Sequence, residues 1–404
     1  MAQLEAATAD DTPEDRAVRG AGGPDAGEWS DAVLLDGELL DGELLDSDIV
    51  DPIQGPVLDA PLAEAAGEAP RLARHQVVLS DGHRVGVAVA GHGVPLVVVH
   101  GFSAEGFLYA QSLSRLVKMG FRVIAIDTAG HGATQGLPLS GQSLNDYADL
   151  LGRVVDELGI ERFVVAGHSM GGQLITRMAA ARPERVIGVV LIDAIVGDTW
   201  DHMVQLFRVA PPLMNVMGGL LLVDSLTVVP TFSDPRQAVK LLRLVAPTLV
   251  GHVLQPWRLL GPMWTILRSR ASRYALDALH EHDVPVFVLH GAWDLAVPHR
   301  TARDTARRTD GLLVTIERAG HSWLLRDPET LPAIVAELLA GGLGDAIRSS
   351  LRDAGLRGTR PTIEQIEQVC YRPDAAVRSL TPADGSTKVV GRHRRPRYRW
   401  NVTG

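Results

Sequence analysis

The sequence predicts an α/β fold: a mostly parallel, twisted sheet flanked by helices, with a helical cap inserted after the sixth strand. Two observations carry this expectation. Five near-continuous apolar runs, VPLVVVHG (Val94 to Gly101), FRVIAID (Phe121 to Asp127), ERFVVAG (Glu161 to Gly167), VIGVVLID (Val186 to Asp193) and VPVFVLHG (Val284 to Gly291), suit strands buried on both faces. Helical patterns alternate with them, over Gly106 to Met119, Ser143 to Leu158, Met170 to Arg182 and Thr301 to Arg308. Strand and helix in alternation mean an α/β architecture.

Residues 1–70 hold 18 Asp and Glu against two arginines, with few aromatics, so the segment carries −16. Such a composition buries too little apolar surface to offset the entropy of ordering, and disorder is the expectation there. Within it Leu34 to Asp48 reads LLDGE, LLDGE, LLDSD, a five-residue repeat that matches neither a heptad nor a solenoid unit. Regular structure is expected from His75, where HQVVLS and HRVGVAVAG flank Asp81-Gly82, a dipeptide suited to a tight antiparallel turn. In the second helix Ser143-Leu144-Asn145-Asp146 puts a carboxylate in the first turn.

The alternation stops between Ile195 and His282, an interval dense in Leu, Val, Met, Pro and Trp that reads as mostly helical. GLLVTIERAG (Gly311 to Gly320) then adds a last strand and Pro332 to Leu339 a closing helix. The expected organisation is therefore an acidic low-complexity segment (residues 1–70), an α/β core (residues 71–195 and 283–341), a helical cap (residues 196–282) and a basic C-terminal extension (residues 342–404). That extension carries +6, against a net −9 for all 404 residues.

The overall balance gives no reason to expect a nucleic-acid partner. The single cysteine, Cys370, makes an intramolecular disulfide impossible. Acids stand at the start, where a signal peptide needs basic and then apolar residues, and the most apolar stretch, Val209 to Val223, is broken by prolines and shorter than the ~20 residues of a membrane span. A cytoplasmic protein is the expectation.

At the end of ERFVVAG stands Gly167-His168-Ser169-Met170-Gly171, followed by a helical segment. This is the strand-turn-helix context in which G-x-S-x-G lifts a serine above a sheet on a strained turn that leaves no room for side chains at its glycines. The turn puts the Met170 amide at a helix N-terminus, where it favours a developing oxyanion. Serine needs a base, because its neutral hydroxyl attacks carbonyls poorly. His321 in Gly320-His321-Ser322-Trp323 follows the last predicted strand, and Asp294 follows the run ending in LHG, in the chain order serine, acid, histidine. Asp193 also ends a strand and is the alternative acid; Glu317 is a more distant one. The second oxyanion donor is expected after VPLVVVHG, at the Phe102 amide. Ser103 and Trp323 are candidates for lining the substrate pocket, with an ordinary turn serine as the alternative reading of Ser103.

His100, His131, His168 and His290 border strand ends, but no metal-ligand spacing relates them, so structural hydrogen bonding is expected and no metal. Asp127 is read as organising the loop that follows it. No phosphate-binding glycine motif is present, and no cofactor is expected.

From Arg71 to Leu339 the chain resembles the α/β-hydrolase superfamily, in its cap-bearing esterase, lipase and meta-cleavage-product hydrolase branch. HGFS, DTAGHG, GHSMGG, HGAWDLAVP and GHSWLLRDP carry the resemblance, in family order. It implies the α/β-hydrolase fold, Ser169, Asp294 and His321 as a catalytic triad, Phe102 and Met170 as the oxyanion hole, and the interval after Ile195 as the lid. Ala129 stands where the family pattern often has arginine. The expected activity is hydrolysis of a carboxylic ester with a hydrophobic acyl group, lipid-like esters included, through an acyl-enzyme. Carbon–carbon bond hydrolysis or cofactor-free perhydrolysis by the same triad is the alternative, and a non-catalytic binding or scaffold protein is a third reading. The basic tail, with Arg392 to Trp400, offers a peripheral contact for an anionic membrane.

Overall fold

The computed structural model describes residues 72–102, 109–138, 143–213, 216–217, 219–220, 224, 257–269, 271–358, 360–380 and 395–404. The segment of residues 1–70, with its repeat, and Ser103 lie outside them.

The described residues form one nine-stranded sheet in the order β1-β2-β4-β3-β5-β6-β7-β8-β9. Strands β1 (Ala73–Val78) and β2 (Arg84–Ala90) pair antiparallel, from Ala73 opposite Val89 to Val78 opposite Arg84. Their turn is built at the predicted dipeptide: the Gly82 amide donates to the Leu79 carbonyl, Asp81 Oδ1 accepts from the His83 amide, and Gly82 has φ +82°. That left-handed conformation, easy for glycine, matches the twist of the two strands. β2 also pairs antiparallel with β4 (Phe121–Ile126). From there β3 (Val94–Val99), β5 (Phe163–His168), β6 (Val186–Ile192), β7 (Val286–Gly291) and β8 (Leu312–Ile316) run parallel. Every residue of β3 to β7 is buried, which is why these segments read as unbroken apolar runs.

Helices cover both faces. They are α1 (Ala110–Val117), α2 (Leu144–Glu157), α3 (Met170–Ala180), and, further along, α6 (Arg273–Glu281) and α7 (His299–Thr309). At the start of α2, Ser143 Oγ accepts from the Asp146 amide while Asp146 Oδ2 accepts from the Ser143 amide, a reciprocal cap. α4 (Asp198–Val209) and α5 (Trp257–Arg268) pack together in the inserted segment. α6, placed by sequence in the cap, packs instead on α3 and α7 and so belongs to the layer against the sheet. Its buried Ala275, Leu276 and Leu279 form the stripe that faces them.

After the short α8 (Trp323–Arg326) and the closing helix α9 (Thr330–Ala340), the chain does not trail away. α10 (Gly342–Asp353) packs on β6, α11 (Ile363–Cys370) on β3, and β9 (Trp400–Thr403) adds antiparallel to β8. The basic extension is thus partly built into the core: Tyr398 is buried and the Arg397 amide donates to Asp327. Residues 381–394 lie outside the described set. No single described helix is long and apolar enough to cross a membrane.

Candidate active site

Ser169 sits between β5 and α3 with φ +52° and ψ −117°, a conformation that costs a non-glycine residue strain and is held here by hydrogen bonds on both sides of the turn. Its amide donates to the Ile192 carbonyl, and its carbonyl accepts from the Gly172 and Ile195 amides. The flanking glycines are steric necessities. A Cβ on Gly167 would stand 2.6 Å from the Gly171 backbone, and one on Gly171 would stand 2.3 Å from the Val99 carbonyl oxygen.

His321 follows β8, and its Nε2 lies 3.0 Å from Ser169 Oγ. Its Nδ1 lies 2.7 Å from Asp294 Oδ2, and Asp294 Oδ1 accepts from the Ala296 and Val297 amides at 2.9 and 2.8 Å. A carboxylate that already takes two amides is fixed in place as an acceptor, so Nδ1 carries a proton, and in the neutral ring Nε2 is left to accept from the serine. Asp193, the other acid candidate, does not reach the histidine ring. Its Oδ1 accepts from the Gly291 amide and its Oδ2 from Trp323 Nε1, at 2.8 and 2.6 Å. Glu317 lies beyond the end of β8 and accepts from Asn401 Nδ2.

The two acids are in different electrostatic states. Burial and the neighbouring Asp294 charge push the Asp193 carboxyl well above the usual range. Burial also works against the Asp294 charge, but His321 beside it prevails and holds its carboxyl low. For His321, burial disfavours the cation, yet the charge and hydrogen bond of Asp294, with smaller help from Asp193 and Asp224, lift its pKa to about 9.

Phe102 lies in the turn after β3, and Met170 opens α3, where a first-turn amide has no partner within the helix. Trp323, expected from the sequence to line a pocket, is 2 % exposed, with its indole nitrogen on Asp193 and its ring edge on Tyr398. α8 turns this face inward, so that Trp323 backs Asp193.

The four bordering histidines are structural. His100 Nε2 accepts from the Thr128 amide and His131 Nδ1 lies against Thr128 Oγ1. His290 Nε2 donates to the Val297 carbonyl, and burial lowers its pKa to about 4. His168 Nε2 donates to the His321 carbonyl while its Nδ1 accepts from the Tyr109 hydroxyl, and burial lowers its pKa to about 3. Asp127 accepts from the Ala133 amide, and a Cβ on Gly132 would meet its carboxylate. Asp193, His290 and Asp294 bring three ligand-type atoms together. Each also serves in the hydrogen bonds given above, and Asp294 alone of the three bonds His321.

Sequence reasoning missed two contributors. Tyr109, through His168, holds the His321 carbonyl. Asp224 accepts from the His321 and Ser322 amides at 2.9 and 2.8 Å. A signal for it existed: Asp224 is the single charged residue between Val209 and Phe232. A lone carboxylate in so apolar a run needs a buried partner.

Residues 96–333, which contain the serine, both acids and the histidine, match the profile of the alpha/beta hydrolase family. The chain belongs to the alpha/beta hydrolase family. Among curated alpha/beta hydrolase relatives, a putative non-heme haloperoxidase of Mycobacterium phage D29 is 33% identical over 67% of this chain and 94% of its own length. Among solved structures, a bacterial membrane phospholipase A superposes with a TM-score of 0.54 at 20% identity, over 69% of this chain and 90% of that one. A thermophilic esterase from Thermogutta terrifontis superposes with a TM-score of 0.50 at 22% identity, over 66% and 98%. These two likenesses concern the alpha/beta hydrolase fold alone.

Proposed function

We propose that this hydrolase is a serine esterase: Ser169 is the nucleophile, His321 the general base and Asp294 the orienting acid, acting on a carboxylic ester. The single observation behind the reading is the continuous hydrogen-bonded line from Ser169 Oγ through His321 to Asp294. His321 Nε2 takes the serine proton as Oγ bonds to the carbonyl carbon, and the Phe102 and Met170 amides receive the oxyanion. Collapse expels the alcohol, which takes the proton from His321 and leaves an acyl-serine. Water, deprotonated by His321, then releases the acid and restores the serine.

A hydrophobic acyl group fits the surface of the inserted segment. Leu206, Val209, Leu213 and Trp264 are 53, 79, 42 and 56% exposed, and Val204, Phe207 and Leu267 line a cleft of about 670 Å³ between α4 and α5. Apolar area of this kind left in water on the inserted segment favours amphiphilic substrates.

Perhydrolysis by the same triad is the second reading, favoured by the haloperoxidase relative. Peroxide would take the place of water at the acyl-enzyme and leave as a peracid. A fluorophosphonate probe tests the shared premise: wild type should label and Ser169→Ala should not. Absence of labelling on folded wild type would sink both readings. Peracid formation from acetate and peroxide that outpaces p-nitrophenyl ester hydrolysis would favour the second. Equal rates from acetate to palmitate esters would remove the hydrophobic acyl preference.

A further inference from the structure

Asp224 belongs to the inserted segment, stands 97 residues before His321 in sequence, and is 8% exposed. Both its oxygens are used on the histidine loop: Oδ1 takes the His321 amide and Oδ2 the Ser322 amide. Room for this contact is made by Gly320, where a Cβ would stand 2.1 Å from Asp224 Oδ1. On the opposite side of the same residue, the His321 carbonyl is held by His168. The backbone of the base is thus gripped at its N–H by the insert and at its C=O by the nucleophile elbow, while Asp294 grips the ring.

We infer that Asp224 is a positioning residue through which the inserted segment holds His321 in register with Ser169 and biases its protonation. Two amide donors to one carboxylate fix both the place and the direction of the loop, since a bidentate acceptor allows little rotation. The charge of Asp224 also favours the imidazolium. It is one of several groups around the ring: Asp294 and His290 from β7 and its loop, Asp193 after β6, and His168 at the end of β5. Asp224 is the one among these that comes from the insert, so displacement of the insert changes both the aim and the basicity of the base.

The kinetic part of this inference rests on the esterase reading; the titration part does not. The decisive variant is Asp224→Asn, which offers one acceptor oxygen where two are used and carries no charge. Gly320→Ala, which pushes the carboxylate away, is the second variant, and Asp224→Glu the charge-preserving control. The His321 ring is titrated by NMR in protein with labelled histidine, and p-nitrophenyl butyrate kinetics are normalised to sites titrated with fluorophosphonate. In Asp224→Asn and Gly320→Ala the ring midpoint should fall by roughly half a pH unit. Their kcat per labelled site should fall roughly ten- to a hundredfold with little change in KM, as expected for a misaimed base. Asp224→Glu should keep the midpoint of wild type. A merely structural role would lower the melting temperature and the fraction of labelled sites while leaving midpoint and kcat per site as in wild type, and that result overturns the inference. If wild type fails to label, the esterase reading fails, and an unchanged or lowered ring midpoint still decides the role of Asp224.

Discussion

Asp193 and Asp294 are two buried carboxyls, each 3.7 Å from the His290 imidazole, and environment alone assigns them different work. Asp294 takes two backbone amides as well as His321 Nδ1, so its charge is supported; Asp193 takes an indole and one amide and is driven toward the neutral acid. Asp294→Asn should therefore reduce ester hydrolysis about 10⁴-fold by presenting the wrong tautomer. Asp193→Asn should cost about 1–3 kcal/mol of stability, from one donor left unpaired, with kcat per labelled site within a few-fold of wild type. Urea unfolding and kinetics on the pair separate the two outcomes. The pH profile follows from His321. A base works in its neutral form, and Asp294 raises its pKa to about 9. Activity should thus fall as pH drops through about 9, and kcat/KM measured from pH 6 to 10 checks it. Ser169, His321 and Asp294 are legible in sequence because glycine spacing and chain order constrain them. Sequence prefers Asp294 to Asp193 by order alone and keeps Asp193 as an alternative, since both end strands; only the structure shows the loop after β7 turning the Asp294 carboxylate to the ring. Trp323 escapes the sequence for a similar reason: adjacency to His321 in the chain says nothing about which way α8 turns.

At the scale of elements, burial on both faces makes the parallel strands readable, because an unbroken apolar run too short for a helix fits little besides a strand covered on both sides. The hairpin and the start of α2 are readable from turn and cap chemistry. Legibility fails where an element has a weak signature. β9 is four residues, WNVT, exposed but for Trp400 and preceded by arginines; its strand character comes from pairing with β8 and not from its own pattern. α6 reads as part of the cap because its helical stripe does not reveal which surface it meets. The elbow makes the sharpest prediction at this scale. A Cβ on Gly171 would stand 2.3 and 2.5 Å from the Val99 and His100 carbonyl oxygens, and backbone does not yield as a side chain does. Gly171→Ala should lower the stability by about 3 kcal/mol or more and abolish fluorophosphonate labelling, read by urea unfolding and gel fluorescence.

Across the whole molecule, the C-terminal helices are locked to the sheet by a buried ion pair. Arg122, 1% exposed on β4, meets Glu367 of α11 at 3.0 Å, and Tyr371 stacks beneath its guanidinium. Burial opposes the Glu367 charge, but His92 and Arg122 outweigh it and the net shift is downward. A carboxyl lowered on folding adds stability above its unfolded pKa of about 4.3 and loses it as pH falls through the folded value. Glu367→Gln should therefore cost about 3–5 kcal/mol near neutrality, by leaving Arg122 buried without a counter-charge. The gap to wild type should narrow only below pH ~4, which urea unfolding at pH 7 and pH 3.5 would check.

The pairing of β9 with β8 joins residues some 84 positions apart, Ile316 with Trp400. As a four-residue, mostly exposed strand at the edge of the sheet, β9 has little burial to hold it and is expected to open locally before the central strands do. Each opening uncovers the row of unpaired amides and carbonyls along β8, a template for a strand from another molecule. The four residues of β9 thus act as a guard against self-association, and a chain that loses them should remain folded in dilute solution yet grow prone to intermolecular β-stacking as its concentration rises.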